Sequence, residues 1–332
     1  MSTESSGHST FTRGYTIAMV SALILSTTAI FIRYLTQTYH LPALVLAVWR
    51  ELFVALTLAV LLAFLRPSLL KIDRRHLLFL IAYGLVLAVF NGAWTLSVAL
   101  NGAAVSTVLV YCSAAFTALL GWLFLKERLN WVKLVAVALS LAGCVLVSGA
   151  YRTAAWQANL LGILLGVISG LCYSVYSLLG RSASQRGLNP WTTLLYAYGF
   201  AAIFLFSTNL LAGGVLPGSA ARPSDLFWLG NALAGWGILF LLAAVPTLAG
   251  FGLYMVSLSY LPSSTANLIA TSETVYTVIL AYFIFGELLD VVQLAGGALI
   301  LSGVVLLRIF EGSPAGRTQP GLPGESRAAG ME

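Results

Sequence analysis

Glu273 is the residue whose placement most invites chemistry. It stands ten residues after Ser263 inside the apolar run 263–285. At ~1.5 Å per helical residue that puts it about 15 Å into a membrane-sized span. A carboxylate at such depth is costly unless it is paired, protonated or open to a watery cavity, so it is a candidate for substrate binding or coupling. The opposing reading is a structural acid hydrogen-bonded to Thr271, Ser272 or Thr277. Arg50 follows Pro42 by eight residues, about 12 Å into its own span, a depth resembling that of Glu273. One expectation is a salt bridge between the two. The other is a planar guanidinium fork that holds a substrate carboxylate. Glu51 comes next, but neighbours on a helix point about 100° apart. Arg50 and Glu51 are therefore not expected to share a target, and Glu51 is read as structural.

Further polar and aromatic groups fall near mid-depth: Tyr83, Asn91, Trp94, Tyr111, Tyr173, Tyr176, Tyr198, Tyr254 and Asn267. Each alone is more readily packing than contact. Together they suit a pocket for an amphiphilic small molecule with aromatic or apolar bulk. Pro246 removes a helical hydrogen bond midway along its span and is the hinge candidate. Glu127 and Glu287 each close a long apolar run, and their duplication points to a structural role, tying a short turn to a neighbouring helix end. His8, His40 and His76 lie in a tail or at span edges. No catalytic residue, metal site or cofactor is expected, and no nucleotide-binding G-x-x-x-x-G-K-[ST] loop, H-E-x-x-H or G-x-S-x-G occurs.

The elements that must hold these groups are read from composition. Apolar residues make up 59% of 332 and charged residues 8%, far from the charge density of a water-soluble surface, roughly 25%. Ten apolar stretches are long enough to cross a bilayer as helices: 14–35, 42–65, 76–98, 103–125, 131–149, 159–181, 190–211, 235–260, 263–285 and 290–309. The fold class is an all-α membrane protein with ten transmembrane helices. Cys112, Cys144 and Cys172 all lie in apolar spans and are expected as free thiols. The net charge of +6 does not describe a nucleic-acid surface. With ten crossings and a cytoplasmic N-terminus, thirteen Lys and Arg residues face the cytoplasm and only Arg33, Arg152 and Arg222 face outward, which is the positive-inside pattern. The loop 212–234 falls outside, with Phe227 and Trp228 as interfacial anchors.

The chain is also written twice. Ala99–Ser148 aligns without gaps on Ser259–Arg308 at an offset of 160, placing Glu127 on Glu287 and Gly143 on Gly303. The earlier parts repeat at 148, with Gly14 on Gly162, Arg33 on Arg181 and Pro42 on Pro190. Five spans per half is an odd number, so the second half enters the membrane from the other side and the repeats are inverted. Small residues recur every fourth position in each opening span, Gly14, Ala18, Ala22, Ser26 and Gly162, Gly166, Gly170, Ser174. Such a face lets another backbone approach closely, whether as static packing or as a sliding seam. The expected units are a disordered tail at 1–13, a first repeat at 14–149, a linker at 150–158, a second repeat at 159–309 and a disordered tail at 310–332.

Three passages resemble the EamA-like members of the drug/metabolite transporter superfamily. PALVLAVWR, Pro42 to Arg50, is similar to that family's second helix. Residues 97–147, which contain the turn with Glu127, are similar to its fourth and fifth helices, and residues 257–307 to the ninth and tenth. The likeness covers about 14–309. The family often has a proline partway along helices four and nine, where this chain carries Ala114 and Thr274, so no proline break is expected there. Glu273 matches the acid that often precedes the ninth-helix proline, and its repeat mate is Ser113. The resemblance implies a secondary carrier for small metabolites, amino-acid-like or otherwise amphiphilic, exporting across the cytoplasmic membrane by alternating access. Both termini are then cytoplasmic. The implied partners are a small-molecule substrate and the lipid bilayer; the depth and isolation of Glu273 make it the candidate proton-coupling acid, and the internal duplication leads to the expectation of a monomer or weak dimer. A multidrug efflux carrier is the near alternative. A non-transporting sensor or scaffold and an intramembrane enzyme are the alternatives of another class.

Overall fold

The computed structural model describes residues 2–147, 149–152, 160–285 and 290–311, and among these all regular structure is helical. In chain order the helices are α1 (Ser2–Leu25), α2 (Thr28–Thr38), α3 (Ala43–Leu65), α4 (Leu77–Tyr111), α5 (Ser113–Leu125), α6 (Trp131–Val147) and α7 (Leu160–Gln185). They continue as α8 (Pro190–Ala212), α9 (Leu233–Leu242), α10 (Gly250–Ser257), α11 (Ser263–Ala270), α12 (Glu273–Phe285) and α13 (Val291–Glu311). Each of the ten apolar stretches falls on helix. Six helical stretches, starting at Phe11, Ala43, Arg74, Leu160, Pro190 and Leu233, are long and apolar enough to cross a membrane, and three shorter apolar helices accompany them. The chain is an all-helical, multi-span membrane protein.

Several boundaries depart from expectation for local reasons. α1 starts at Ser2, inside the stretch expected as a disordered tail. Extending a formed helix adds one hydrogen bond per residue without a new nucleation cost, and no proline interrupts residues 2–13. α4 is assigned as one helix through both the third and fourth stretches, yet Ser97 Oγ lies 2.8 Å from Ser106 Oγ. Nine residues of straight helix would separate them by about 13 Å. The axis therefore folds back between Ser97 and Ser106, and the two stretches remain distinct.

Breaks appear without proline. Between α1 and α2, Ser26 Oγ donates to the carbonyl of Leu23 and Thr27 Oγ1 to that of Ile24. Between α11 and α12, Thr271 Oγ1 donates to Leu268 and Ser272 Oγ to Ile269. Hydroxyls that bond carbonyls of the preceding turn compete with the helix ladder. α4 gives way to α5 at Cys112, the repeat mate of Ser272. These two spans contain no proline break, as their sequence requires, yet both halves break all the same, two residues before the positions of Ala114 and Thr274.

The packing has a two-fold character. α1 of the first half lies on α10 and α11 of the second, where Ser21 Oγ bonds the Gly250 carbonyl at 2.8 Å and Gly14 abuts Tyr260 and Leu261. α7 of the second half lies on α4 and α5 of the first, where Ser97 Oγ bonds the Gly162 carbonyl at 2.8 Å and Gly170 abuts the Leu109 carbonyl. The small-residue faces seen in the sequence make these close approaches. α6 and α13 meet reciprocally. A Cβ on Gly143 would lie 2.6 Å from the Gly296 carbonyl oxygen, and one on Gly303 would lie 2.8 Å from that of Ala136. Residues 136 and 296, like 143 and 303, are mates at the offset of 160, and the contact pairs run in opposite senses, so the two helices are antiparallel. Consistently, Arg152 just after α6 pairs at 3.2 Å with Asp290 just before α13.

Candidate functional site

α3 carries Arg50 and Glu51 into the interior, where they are 3% and 0% exposed. Arg50 Nη2 donates to Asn91 Oδ1 at 2.6 Å and to Glu51 Oε1 at 3.2 Å, and Asn91 Nδ2 donates to the same Glu51 Oε1 at 2.7 Å. The expectation that the two neighbours serve different targets is corrected, because both reach Asn91 on α4. So is the expected salt bridge to Glu273: Arg50 is committed to Glu51 and Asn91. A buried charge pair survives desolvation when its remaining valences are satisfied. Here Arg50 Nε, Glu51 Oε2 and the Tyr198 hydroxyl are buried without a protein hydrogen-bond partner.

From this triad a belt of tyrosines runs through the core. Tyr83 of α4 and Tyr176 of α7 hold their ring centroids 4.8 Å apart, Tyr173 stacks on Phe90 at 5.0 Å, and Tyr173 sits 6.0 Å from Tyr254 of α10. Tyr83 Oη donates to Met255 Sδ at 3.1 Å. The belt ends in a hydrogen-bonded chain. The Tyr254 hydroxyl lies 2.7 Å from Ser177 Oγ, Asn267 Nδ2 donates to Ser177 Oγ at 3.2 Å, and Ser113 Oγ donates to Asn267 Oδ1 at 3.2 Å. Buried hydroxyls and amides are tolerated because they satisfy one another.

Glu273 opens α12 just after the Thr271–Ser272 break, where a helix N-terminus favours negative charge. Its side chain is half-buried and lies in the electrostatic neighbourhood of Tyr111, the last residue of α4, without a hydrogen bond of normal geometry to it. The hydroxyls expected to bond it do otherwise. Thr271 and Ser272 bond carbonyls behind them, and Thr277 Oγ1 bonds the Glu273 and Ser26 carbonyls. Glu273 and the Arg50 triad therefore sit in different parts of one interior polar tract, with Tyr173 and its neighbours between them.

The remaining residues separate from this tract. Trp94 is half-buried and packs between two apolar clusters. Pro246 lies in a π-helical turn, Ala243–Ala249, and the Leu242 carbonyl that it leaves free accepts the Thr247 hydroxyl at 2.8 Å. Glu127 reaches across the halves: Oε1 accepts the Ser263 backbone N–H at 2.7 Å and its hydroxyl at 2.6 Å, while Oε2 accepts the N–H and hydroxyl of Ser264. It caps α11 from the loop between α5 and α6. Glu287 lies outside the described residues. Sequence reasoning passed over Glu51, Ser113 and Ser177 as members of the tract. Only Glu51 left a signal there, as a second intramembrane charge.

Comparison with known proteins gives a consistent result. A family model described as the EamA-like transporter family matches residues 12–149 and 160–309. An uncharacterized transporter of Archaeoglobus fulgidus is 30% identical over 224 residues, covering 66% of this chain and 74% of its own. The uncharacterized transporter YwfM of Bacillus subtilis is 26% identical, covering 62% and 65%. A protein of Streptantibioticus cattleyicolor named "Probable terminal-alkyne amino-acid exporter" is 28% identical, covering 62% and 64%. The chain thus spans about two thirds of the length of these relatives. A crystal structure with 16% identity superposes with a TM-score of 0.69 over 90% of this chain and 98% of that one, which is a likeness of fold.

Proposed function

The chain belongs to the EamA-like transporter family, a family of membrane transporters and not of enzymes, and from that premise we propose that it is a secondary carrier exporting small amphiphilic metabolites, amino-acid-like solutes first among them. The observation that carries this reading is the interior polar tract, in which two carboxylates, one guanidinium and a belt of tyrosines lie inside a lipid-embedded bundle. Buried ionisable groups in a membrane mark substrate or ion pathways. The two repeats are inverted and exchange conformations about an axis in the membrane plane, opening the tract to each side in turn. The antiparallel, reciprocal contact of α6 and α13 supports that arrangement, because only a two-fold axis makes residue pairs repeat in exchanged roles. Both termini face the cytoplasm, supported by the distribution of Lys and Arg. Arg50 and Asn91 bind substrate, with Tyr173, Tyr176, Tyr198, Tyr254 and Asn267 lining its path. Glu273, near Tyr111, carries the coupling proton, and Pro246 is the flexing point. The amino-acid preference draws support from the relative of Streptantibioticus cattleyicolor named for amino-acid export.

Counterflow of radiolabelled amino acids in proteoliposomes tests the carrier. Proton coupling is tested by comparing wild type with Glu273→Gln. An imposed pH gradient is expected to accelerate wild-type uptake several-fold and to leave the variant at its gradient-free rate. Equal stimulation of both removes the proton role from Glu273.

A further inference from the structure

The Arg50–Glu51–Asn91 triad leaves a specific set of atoms unspent. Glu51 Oε1 receives both available donors, Arg50 Nη2 and Asn91 Nδ2, so Oε2 is left as a buried acceptor with no protein partner. Arg50 Nε is left as a buried donor, and the Tyr198 hydroxyl is left free to act as either. Tyr198 feels the charges of both Glu51 and Arg50, and Tyr176, whose hydroxyl faces Tyr83 without a bond of normal geometry, feels that of Glu51. These atoms therefore belong to one neighbourhood. An anionic acceptor, a cationic donor and a hydroxyl left open together, each costly to bury alone, describe the negative of a dipolar head group.

We propose that Glu51 is a specificity-determining residue that binds the primary ammonium group of the substrate through Oε2, while Arg50 Nε takes the adjacent carboxylate and the Tyr198 hydroxyl bridges the two. This assignment deepens the carrier reading and rests on it. It places the selecting acid at Glu51 and separates it from Glu273. A primary ammonium offers three donors, of which a carboxylate oxygen and a tyrosine oxygen take two, while acylation of the nitrogen removes both the charge and the geometry. Besides its own contact to substrate, Asn91 holds Oε1 and thereby aims Oε2.

The test uses the full-length protein in lipid nanodiscs, with L-phenylalanine, N-acetyl-L-phenylalanine and L-phenylalaninamide as probes, read by titration calorimetry and by thermal shift. Wild type is expected to bind phenylalanine at least about tenfold more tightly than either blocked analogue, since a site built for a polar group rejects an analogue that leaves it unpaired. In Glu51→Gln the preference over the N-acetyl compound should collapse while that over the amide persists. Because Gln also leaves Arg50 without its charge partner, Glu51→Asp serves as the second variant and should retain the preference with weakened affinity. Equal binding of phenylalanine and its N-acetyl derivative by wild type overturns the proposal, as does full discrimination in Glu51→Gln. No binding of phenylalanine alongside counterflow of some other solute also overturns it but leaves the carrier standing. Loss of counterflow for every solute tried sinks the carrier reading instead.

Discussion

At the residue scale, the interior is governed by how buried charges find partners. Asn91 is the joint: its amide donates to Glu51 and accepts from Arg50, so one neutral side chain divides the load of a neighbouring ion pair. Replacing it by Leu, close in volume, leaves each charge one bond short. A buried bond to a charged group is worth about 2 kcal/mol. Asn91→Leu removes two such bonds and is therefore expected to lower the unfolding free energy of the detergent-solubilised protein by roughly 2 to 4 kcal/mol, read as a drop in melting temperature. Exposed Ser207→Ala, which removes only a bond to the carbonyl behind it on α8, should be close to neutral; a drop for Asn91→Leu no larger than that would mean the triad holds nothing together. The interior place of Arg50 was legible from counting residues along an apolar run. The company of Glu51 was not, because a helical wheel gives the direction of Cβ and says little about where a long guanidinium ends. Arg50 swings back over its own neighbour, and only the position of α4 settles that it does so.

At the level of elements, the helices were legible and their interruptions were not. Long apolar runs fix where helix must lie, since the lipid core leaves backbone groups no other partner. Serine and threonine in such a run are ordinary, so nothing marked Ser26–Thr27 or Thr271–Ser272 as breaks; proline was the expected signal, and hydroxyls take its place. The short α11 that results is eight residues long, too short to be stable alone, and its first two N–H groups are taken by Glu127 from the other half. Glu127 is itself turned into place by Lys126, which adopts φ +54°, a left-handed conformation that a side chain rarely adopts. Lys133 Nζ adds a bond at 2.9 Å to the Ser264 hydroxyl. Glu127→Ala is expected to cost about 2 kcal/mol of stability, at the upper end for loss of a helix cap. Hydrogen exchange should locate the loss, with faster exchange at Ser263–Ala270 and little change in α3. Uniformly faster exchange would mean that the carboxylate stabilises the bundle at large and is not the cap of one helix.

Across the whole molecule, the duplication predicts a geometry that neither half could display alone. The offset of 160 was visible in the chain, as were Gly143 and Gly303, but a repeat in sequence does not say which way its copies face. The inversion argued from an odd number of spans now has an independent support in α6 and α13, whose contacts run antiparallel and exchange roles between repeat mates. Asn130 and Asp290 are mates at that offset, stand immediately before these two helices and are both exposed. Single cysteines at the two positions, in a background with Cys112, Cys144 and Cys172 replaced by Ala, should be modified from opposite sides of the membrane. An impermeant maleimide applied to intact cells is expected to label Asp290→Cys and to spare Asn130→Cys until the membrane is opened. The charge distribution chooses which side is which, so the reverse pattern would correct the orientation and keep the inversion. Labelling of both from one face would make the halves parallel, and a tract between parallel halves has no symmetry-related way to open outward after it has opened inward.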